Sequence, residues 1–274
     1  MKPTLERIFA GLAALVISTG ASSAADLHPI VEVQSGYLFG AISDGKWIKA
    51  DETAKLIGDE TTYRVYGLTQ ALGDAKGDKP KPGEGPCEGT LAVSLSPETE
   101  TGVIAIAAPW NALPRKPQVT DPTQKTYVDA VREFLKTKGI EQPEVKIDSI
   151  VRIDLDGDGE EEVLISAANY FGKADRAPMR SPAGSYSMVL LRRVVAGKVE
   201  TQLVEGEFHP KAYVSKEGSF DAPSIYKVIA TLDLDGDGKM EVVVDSHYYE
   251  GGQTTIYRCD RKKAKALLSV ACGA

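Results

Sequence analysis

The chain has 274 residues, 42% of them hydrophobic and 26% charged, with a formal net charge of −7. That length suits one large domain or two ordinary ones, and the composition excludes a disordered, tail-like chain. The acidic balance argues against a nucleic-acid partner, which needs a clustered basic face. Three His and three Cys are too few for a zinc site built from several of them.

The first segment reads as an address. Lys2 and Arg7 precede the apolar run 8–17, and Ala21-Ser22-Ser23-Ala24-Ala25 offers the small residues of a cleavage site. The pattern predicts a secretory signal peptide over residues 1–25; the rival reading, a membrane anchor, needs about 20 apolar residues to span a bilayer. The mature chain is expected to be exported, periplasmic or extracellular, soluble and without a membrane anchor. In an oxidising compartment its cysteines predict one disulfide and one free thiol. Cys87, in a Pro/Gly-rich stretch, and Cys272, near the C-terminus, are the favoured pair because irregular segments adjust to disulfide geometry. Cys259 with Cys272 is the alternative.

Residues 26–115 read as a β-rich region, with strands at 30–33, 37–39, 46–48, 62–66, 91–95 and 103–107 and a short helix at 51–56. Residues 73–89, dense in Gly, Pro, Lys and Asp, predict a long loop. Residues 116–143 read as linker and helix. Pro109, Pro114, Pro117 and Pro122 mark extended chain. Asp121-Pro122 predicts a cap followed by the first helical residue. Tyr127, Val128, Val131, Phe134 and Leu135 recur at helical spacing, and Gly139 predicts the stop.

Residues 144–274 contain an internal repeat. Asp-Leu-Asp-Gly-Asp-Gly-Glu-Glu-Glu at 154–162 recurs as Asp-Leu-Asp-Gly-Asp-Gly-Lys-Met-Glu at 233–241. The similarity runs on: Val163-Leu164-Ile165 matches Val242-Val243-Val244, and Tyr170 matches Tyr249. Each copy predicts a four-stranded meander, at 145–153, 162–168, 186–195 and 199–205, then at 225–232, 241–248, 253–260 and 265–271. Aspartates at loop positions 1, 3 and 5 (Asp154, Asp156, Asp158; Asp233, Asp235, Asp237) put three carboxylates inside a tight turn. Glycine at position 6 lets the backbone swing round, and the position 7 carbonyl (Glu160, Lys239) turns toward the centre. Glu162 and Glu241 at position 9 close each site. These hard oxygen ligands predict Ca²⁺ at two sites; the bland alternative is a pair of solvated acidic turns.

An EF-hand does not fit, because position 12 is Ile165 or Val244 and the flanks are β-rich. The pattern resembles the calcium loop of FG-GAP/VCBS repeats, found in integrin-α-like β-propeller blades, where Asp-x-Asp-x-Asp-Gly-x-x-Asp/Glu joins two antiparallel strands. The resemblance implies a blade-like sheet and an ion for each copy. It covers only two repeats, and a closed propeller needs at least four. The two sheets must therefore cover their faces by packing on each other, on the N-terminal β region or on the helix.

Tyr170-Phe171 and His247-Tyr248-Tyr249 follow the two loop-flanking strands and offer an aromatic ligand platform, with strand-end packing as the alternative. His28 and His209 read as surface residues. Arg176, Arg180, Arg192, Arg193 and the Arg258/Arg261/Lys262/Lys263 cluster read as solvated charge. No catalytic residue is nominated: there is no nucleophile elbow, phosphate loop or dinucleotide fingerprint. The expectation is a mainly β, exported, calcium-binding module with a non-catalytic binding or scaffold role toward an unidentified protein or glycan. The alternative is a secreted hydrolase or glycan-processing enzyme with structural calcium.

Overall fold

A computed structural model describes residues 26–170, 180–214 and 223–273. The expected signal peptide, and Phe171, lie outside the described residues. The chain is mainly β, as its alternating patterns imply, and among the described residues no helix is long and apolar enough to cross a membrane.

The N-terminal strands are β1 (Leu27–Glu32), β2 (Leu38–Ser43), β3 (Lys46–Lys49), β4 (Thr61–Tyr66), β5 (Ala71–Gly77), β6 (Lys81–Pro82), β7 (Leu91–Ala92), β8 (Leu95–Ser96) and β9 (Ile104–Ile106), with the one-turn helix α1 (Ala50–Thr53) after β3. Seven of them form one sheet in the order β3-β2-β1-β9-β4-β5-β8, and β6 pairs with β7. The 73–89 stretch is therefore not all loop. Ala75 of β5 lies opposite Tyr63 of β4 in the ladder, and both are buried, so the bulk that makes this pair a core comes from the partner strand.

The Pro-rich linker is also built in. Ala112 is buried, its amide donates to the Tyr66 hydroxyl at 3.1 Å, and its carbonyl accepts from the Asp233 amide at 2.8 Å. Strand β10 (Gln118–Thr120) follows. Helix α2 (Lys125–Thr137) begins later than expected. Asp121 instead closes a turn by accepting from the Thr123 amide at 2.8 Å, and Gln124 occupies the cap position. The expected stripe holds, with Val131 and Leu135 buried, and Gly139 stops the helix at φ +82°.

The first repeat folds as β11 (Ile147–Ile153), β12 (Glu162–Ala168), β14 (Ser185–Val195) and β15 (Lys198–His209), an antiparallel meander to which β10 adds an edge. Short β13 (Arg180–Ser181) and β16 (Tyr213–Val214) pair beside it. The second repeat is the meander β17 (Ile225–Leu232), β18 (Glu241–Tyr248), β19 (Gly251–Cys259) and β20 (Ala264–Gly273).

The apolar clusters show how the faces close. One face of the C-terminal sheet (Leu232, Val243, Ile256) packs on the N-terminal sheet through Ile30, Phe39 and Ile104. Its other face (Val228, Val242, Val244) packs on the central sheet through Val151, Leu164 and Leu191. The outer face of the central sheet takes α2 through Val131 and Leu135. The C-terminal sheet is thus the middle layer of three, buried on both sides, which accounts for the unbroken Val242-Val243-Val244 run. Cys87 and Cys272 form the disulfide, with Cα atoms 5.1 Å apart, and tie the N-terminal region to the last strand; Cys259 is the free thiol.

Candidate metal centres

Each repeat joins its first two strands through the acidic loop: 154–161 between β11 and β12, and 233–240 between β17 and β18. The position 6 glycines, Gly159 and Gly238, have φ of +89° and +85°, so the turn needs the left-handed backbone that glycine adopts without strain. The aspartates organise the turn from inside. Asp154 accepts from the amides of Gly157 at 2.7 Å and Gly159 at 3.1 Å. Asp233 accepts from Gly238 at 3.1 Å. Asp158 and Asp237 accept from the position 7 amides of Glu160 and Lys239, each at 2.8 Å. The closing glutamates reach back, Glu162 to the Leu155 amide at 2.8 Å and Glu241 to the Leu234 amide at 3.0 Å.

Carboxylate oxygens from Asp154, Asp156 and Glu162 lie within 4.8 Å of one another, as do those of Asp233, Asp235 and Asp237. Asp158 and Glu241 are not in these closest groups. Glu162, Asp233 and Glu241 are buried, Glu241 to 1% exposure. Burial pushes the Glu241 carboxyl up to about 7 against the pull of the Arg258 guanidinium, and raises Glu162 and Asp233 for the same reason. Asp233 Oδ1 is buried and, among the described residues, accepts no well-formed hydrogen bond, although the Gly236 amide lies near enough to favour its charged form. A cation placed among such oxygens relieves both their desolvation and their mutual repulsion.

Three residues outside the repeat pattern complete the centres. Arg115 Nε donates to the Asp154 carbonyl at 2.6 Å, while its Nη2 donates to the carbonyls of Leu155 at 3.2 Å and Gly238 at 2.7 Å. Trp110 Nε1 donates to the Asp233 carbonyl at 2.9 Å. Arg258 donates to Glu241 Oε1 at 2.7 Å and also to Asp235. Arg258 is thus not solvated charge but an internal counter-cation of the second loop.

Its counterpart in the first repeat is Arg193, which follows Arg192, the partner of Val163, as Arg258 follows Tyr257, the partner of Val242. Arg193 is buried, and its Nη2 donates at 3.4 Å to the Cys259 carbonyl of the neighbouring sheet. The centres are therefore unequal. Asp156, Glu162 and Glu241 face one small cavity of about 260 Å³ together with Arg193 and Arg258. The residues between β12 and β14 outnumber those between β18 and β19, so the two arginines stand at different distances from their glutamates in sequence and the match is hidden there.

The described members of the aromatic set differ in their surroundings. Tyr170 is 7% exposed, with its ring 6.1 Å from that of His209. His247 lies 3.4 Å from Asp245, and Tyr249 is exposed. Of the described aromatics in this set, Tyr248 alone lines a cleft of about 630 Å³. His28 and His209 are buried rather than superficial; His28 packs edge-on against Trp110, with ring centroids 4.6 Å apart.

No family model, curated protein or solved structure matches the chain.

Proposed function

We propose that this chain is an exported, non-catalytic binding module of the FG-GAP/VCBS type whose two acidic loops each take a Ca²⁺ ion. The observation that carries the reading is the convergence of three carboxylates within 4.8 Å in each loop, with Asp233 buried and its carboxyl pushed up by that burial. Six to eight oxygens in flexible geometry suit Ca²⁺ better than the strict octahedron of Mg²⁺. The Cys87–Cys272 disulfide supports an oxidising, exported setting. A cleft of about 630 Å³ carries one carboxylate, Glu205, among its described lining residues. Glycoside hydrolysis uses a pair. Neighbouring Glu207 is engaged by the Ser224 amide at 3.0 Å and by His209.

The ion's role is to hold the loops that join the strands of adjacent sheets. Binding to the folded state alone raises stability by about 2–3 kcal/mol when Ca²⁺ is some hundredfold above its dissociation constant. Extracellular modules commonly bind at about 10⁻⁴–10⁻³ M. The test is thermal unfolding in chelator and in millimolar Ca²⁺ or Mg²⁺. Chelator should lower Tm, and Ca²⁺ should restore it better than Mg²⁺. Unchanged melting, with no calorimetric binding at millimolar Ca²⁺, would refute the reading.

A further inference from the structure

The apolar contact between the central and C-terminal sheets runs from Leu155 and Met240 at the acidic loops to Tyr226, whose amide donates to the Ser187 hydroxyl at 2.9 Å. Where their apolar contact ends, at Val244, Tyr226 and Tyr257, a cleft of about 630 Å³ opens. Its floor is one face of the C-terminal sheet. Its walls are β15, through Glu205, and the Pro86–Cys87 segment that the disulfide staples to the last strand. We propose that this cleft binds a neutral oligosaccharide. The proposal rests on the reading of the chain as a binding module and is independent of the ions.

The chemistry of the lining favours that class. A pyranose presents flat C–H faces and a rim of hydroxyls, so it needs aromatic surface interleaved with uncharged donors and acceptors. Tyr226 and Tyr248, both partly exposed, supply the first, while Tyr257 is buried beside them. Ser246 and Gln253 supply the second and are held in place: the Gln253 side-chain amide donates to the buried Thr255 hydroxyl at 2.8 Å, and the Ser246 hydroxyl donates to the Gln253 main-chain carbonyl at 3.0 Å.

The strand pattern sets this up, since alternate residues of β18 and β19 share a face. Tyr248 lies down on that face. A Cβ on Gly251 would come within 2.6 Å of its hydroxyl oxygen, and one on Gly273 would come closer still. The phenol therefore reaches across β19 to β20, and the two glycines leave the room for it.

Charge narrows the choice. Among the described residues no Lys or Arg lines the cleft, which disfavours phosphorylated or uronic ligands. The one carboxylate, Glu205, already accepts from the Tyr257 hydroxyl, which weakens its pull on a cation and leaves it as an acceptor for sugar hydroxyls. A ligand cleft usually falls in the range of roughly 300–1,000 Å³, which this one meets while being more polar than most.

The experiment titrates the calcium-loaded protein, by calorimetry and NMR, with maltohexaose, cellohexaose and chitohexaose, and with spermidine and polygalacturonate as charged probes. At least one neutral hexasaccharide should bind. Tyr248→Ala and Gln253→Ala should each weaken it by about tenfold, while Tyr249→Ala, at an exposed position outside the cleft, should not. Gln253 is exposed, so its variant keeps the test valid should Tyr248→Ala fail to fold. No binding of the three hexasaccharides up to about 10 mM would overturn the proposal. So would binding that both cleft variants leave unchanged, or binding of a charged probe alone. Saccharide binding without any effect of chelator on Tm would uphold the cleft and sink the calcium reading. Cleavage of the bound hexasaccharide would uphold the ligand class and refute the non-catalytic reading.

Discussion

The Met240 amide donates to the Leu155 carbonyl over 2.7 Å, so position 8 of one acidic loop is bonded to position 2 of the other. Arg115 reinforces the joint by donating to Asp154 and Leu155 on one side and to Gly238 on the other. The two candidate ion sites are thus one mechanical unit, and the positive charge that holds them comes from the linker.

Arg115→Ala should cost about 2 kcal/mol, since it strips a charged donor from two partly buried carbonyls and an exposed one. It should also reduce the Ca²⁺ response of both loops. Urea unfolding with and without Ca²⁺, repeated in Asp154→Ala and Asp233→Ala backgrounds, separates the two. A calcium response reduced in only one background would show that the joint does not couple the loops.

Calcium stoichiometry should fall from two ions to one in either Asp154→Ala or Asp233→Ala, measured by equilibrium dialysis. The double variant should hold none and melt alike in chelator and in Ca²⁺. Retention of two ions by both single variants would place the ions elsewhere.

Arg258→Ala should destabilise the ion-free protein by about 2–3 kcal/mol, because it strands buried Glu241 beside Asp235; the cost stays below that of a fully buried pair because Arg258 is partly exposed. An ion bound there would take over the counter-charge, so the variant should gain more from Ca²⁺ than the wild type does. Differential scanning calorimetry of both proteins in chelator and in Ca²⁺ reads this directly. An equal gain would mean that the guanidinium and the ion do not share these carboxylates.

Gly236→Ala should cost more than Gly238→Ala. Both residues have positive φ, worth about 1–2 kcal/mol for an L side chain. Only at Gly236 would the new Cβ meet a neighbour, the Trp110 ring at 3.2 Å, and that ring is held by its bond to the Asp233 carbonyl. The same contact makes Trp110 a reporter. Its fluorescence should change on Ca²⁺ addition, and the change should vanish in Asp233→Ala.

Cys259 should resist thiol reagents in the folded protein. Burial pushes its thiol up to about 12, so at pH 8 the thiolate is on the order of 10⁻⁴ of the total. One thiol per chain should react after denaturation. Reducing Cys87–Cys272, which closes a separation of 185 residues, should lower stability by up to about 5 kcal/mol in the chain-entropy picture. Rapid labelling of the native protein would contradict the raised thiol of the partly buried Cys259.

Much of the local structure was legible in the chain. The second meander could be read to within two or three residues because alternation and turn chemistry act between neighbours, as at 225–232 and 241–248. The acidic loops were legible because their spacing is itself the geometry, and the Cys87–Cys272 pair because few cysteines leave few choices. What the tertiary structure alone decided is what each face packs against. Alternation says that Val242 and Val243 point to opposite sides; it does not say that one meets the central sheet and the other the N-terminal sheet. Trp110, Ala112 and Arg115 sit in a Pro-rich stretch with no period, and their partners Asp233 and Gly238 are more than a hundred residues away. Arg258 reads as surface charge until β19 is laid beside β18, and the cleft is lined jointly by β15, the Pro86–Cys87 segment and the C-terminal sheet, which only the fold brings together. Short-range sterics act between residues close along the chain and so are written there; packing acts between surfaces that only the completed stack brings together.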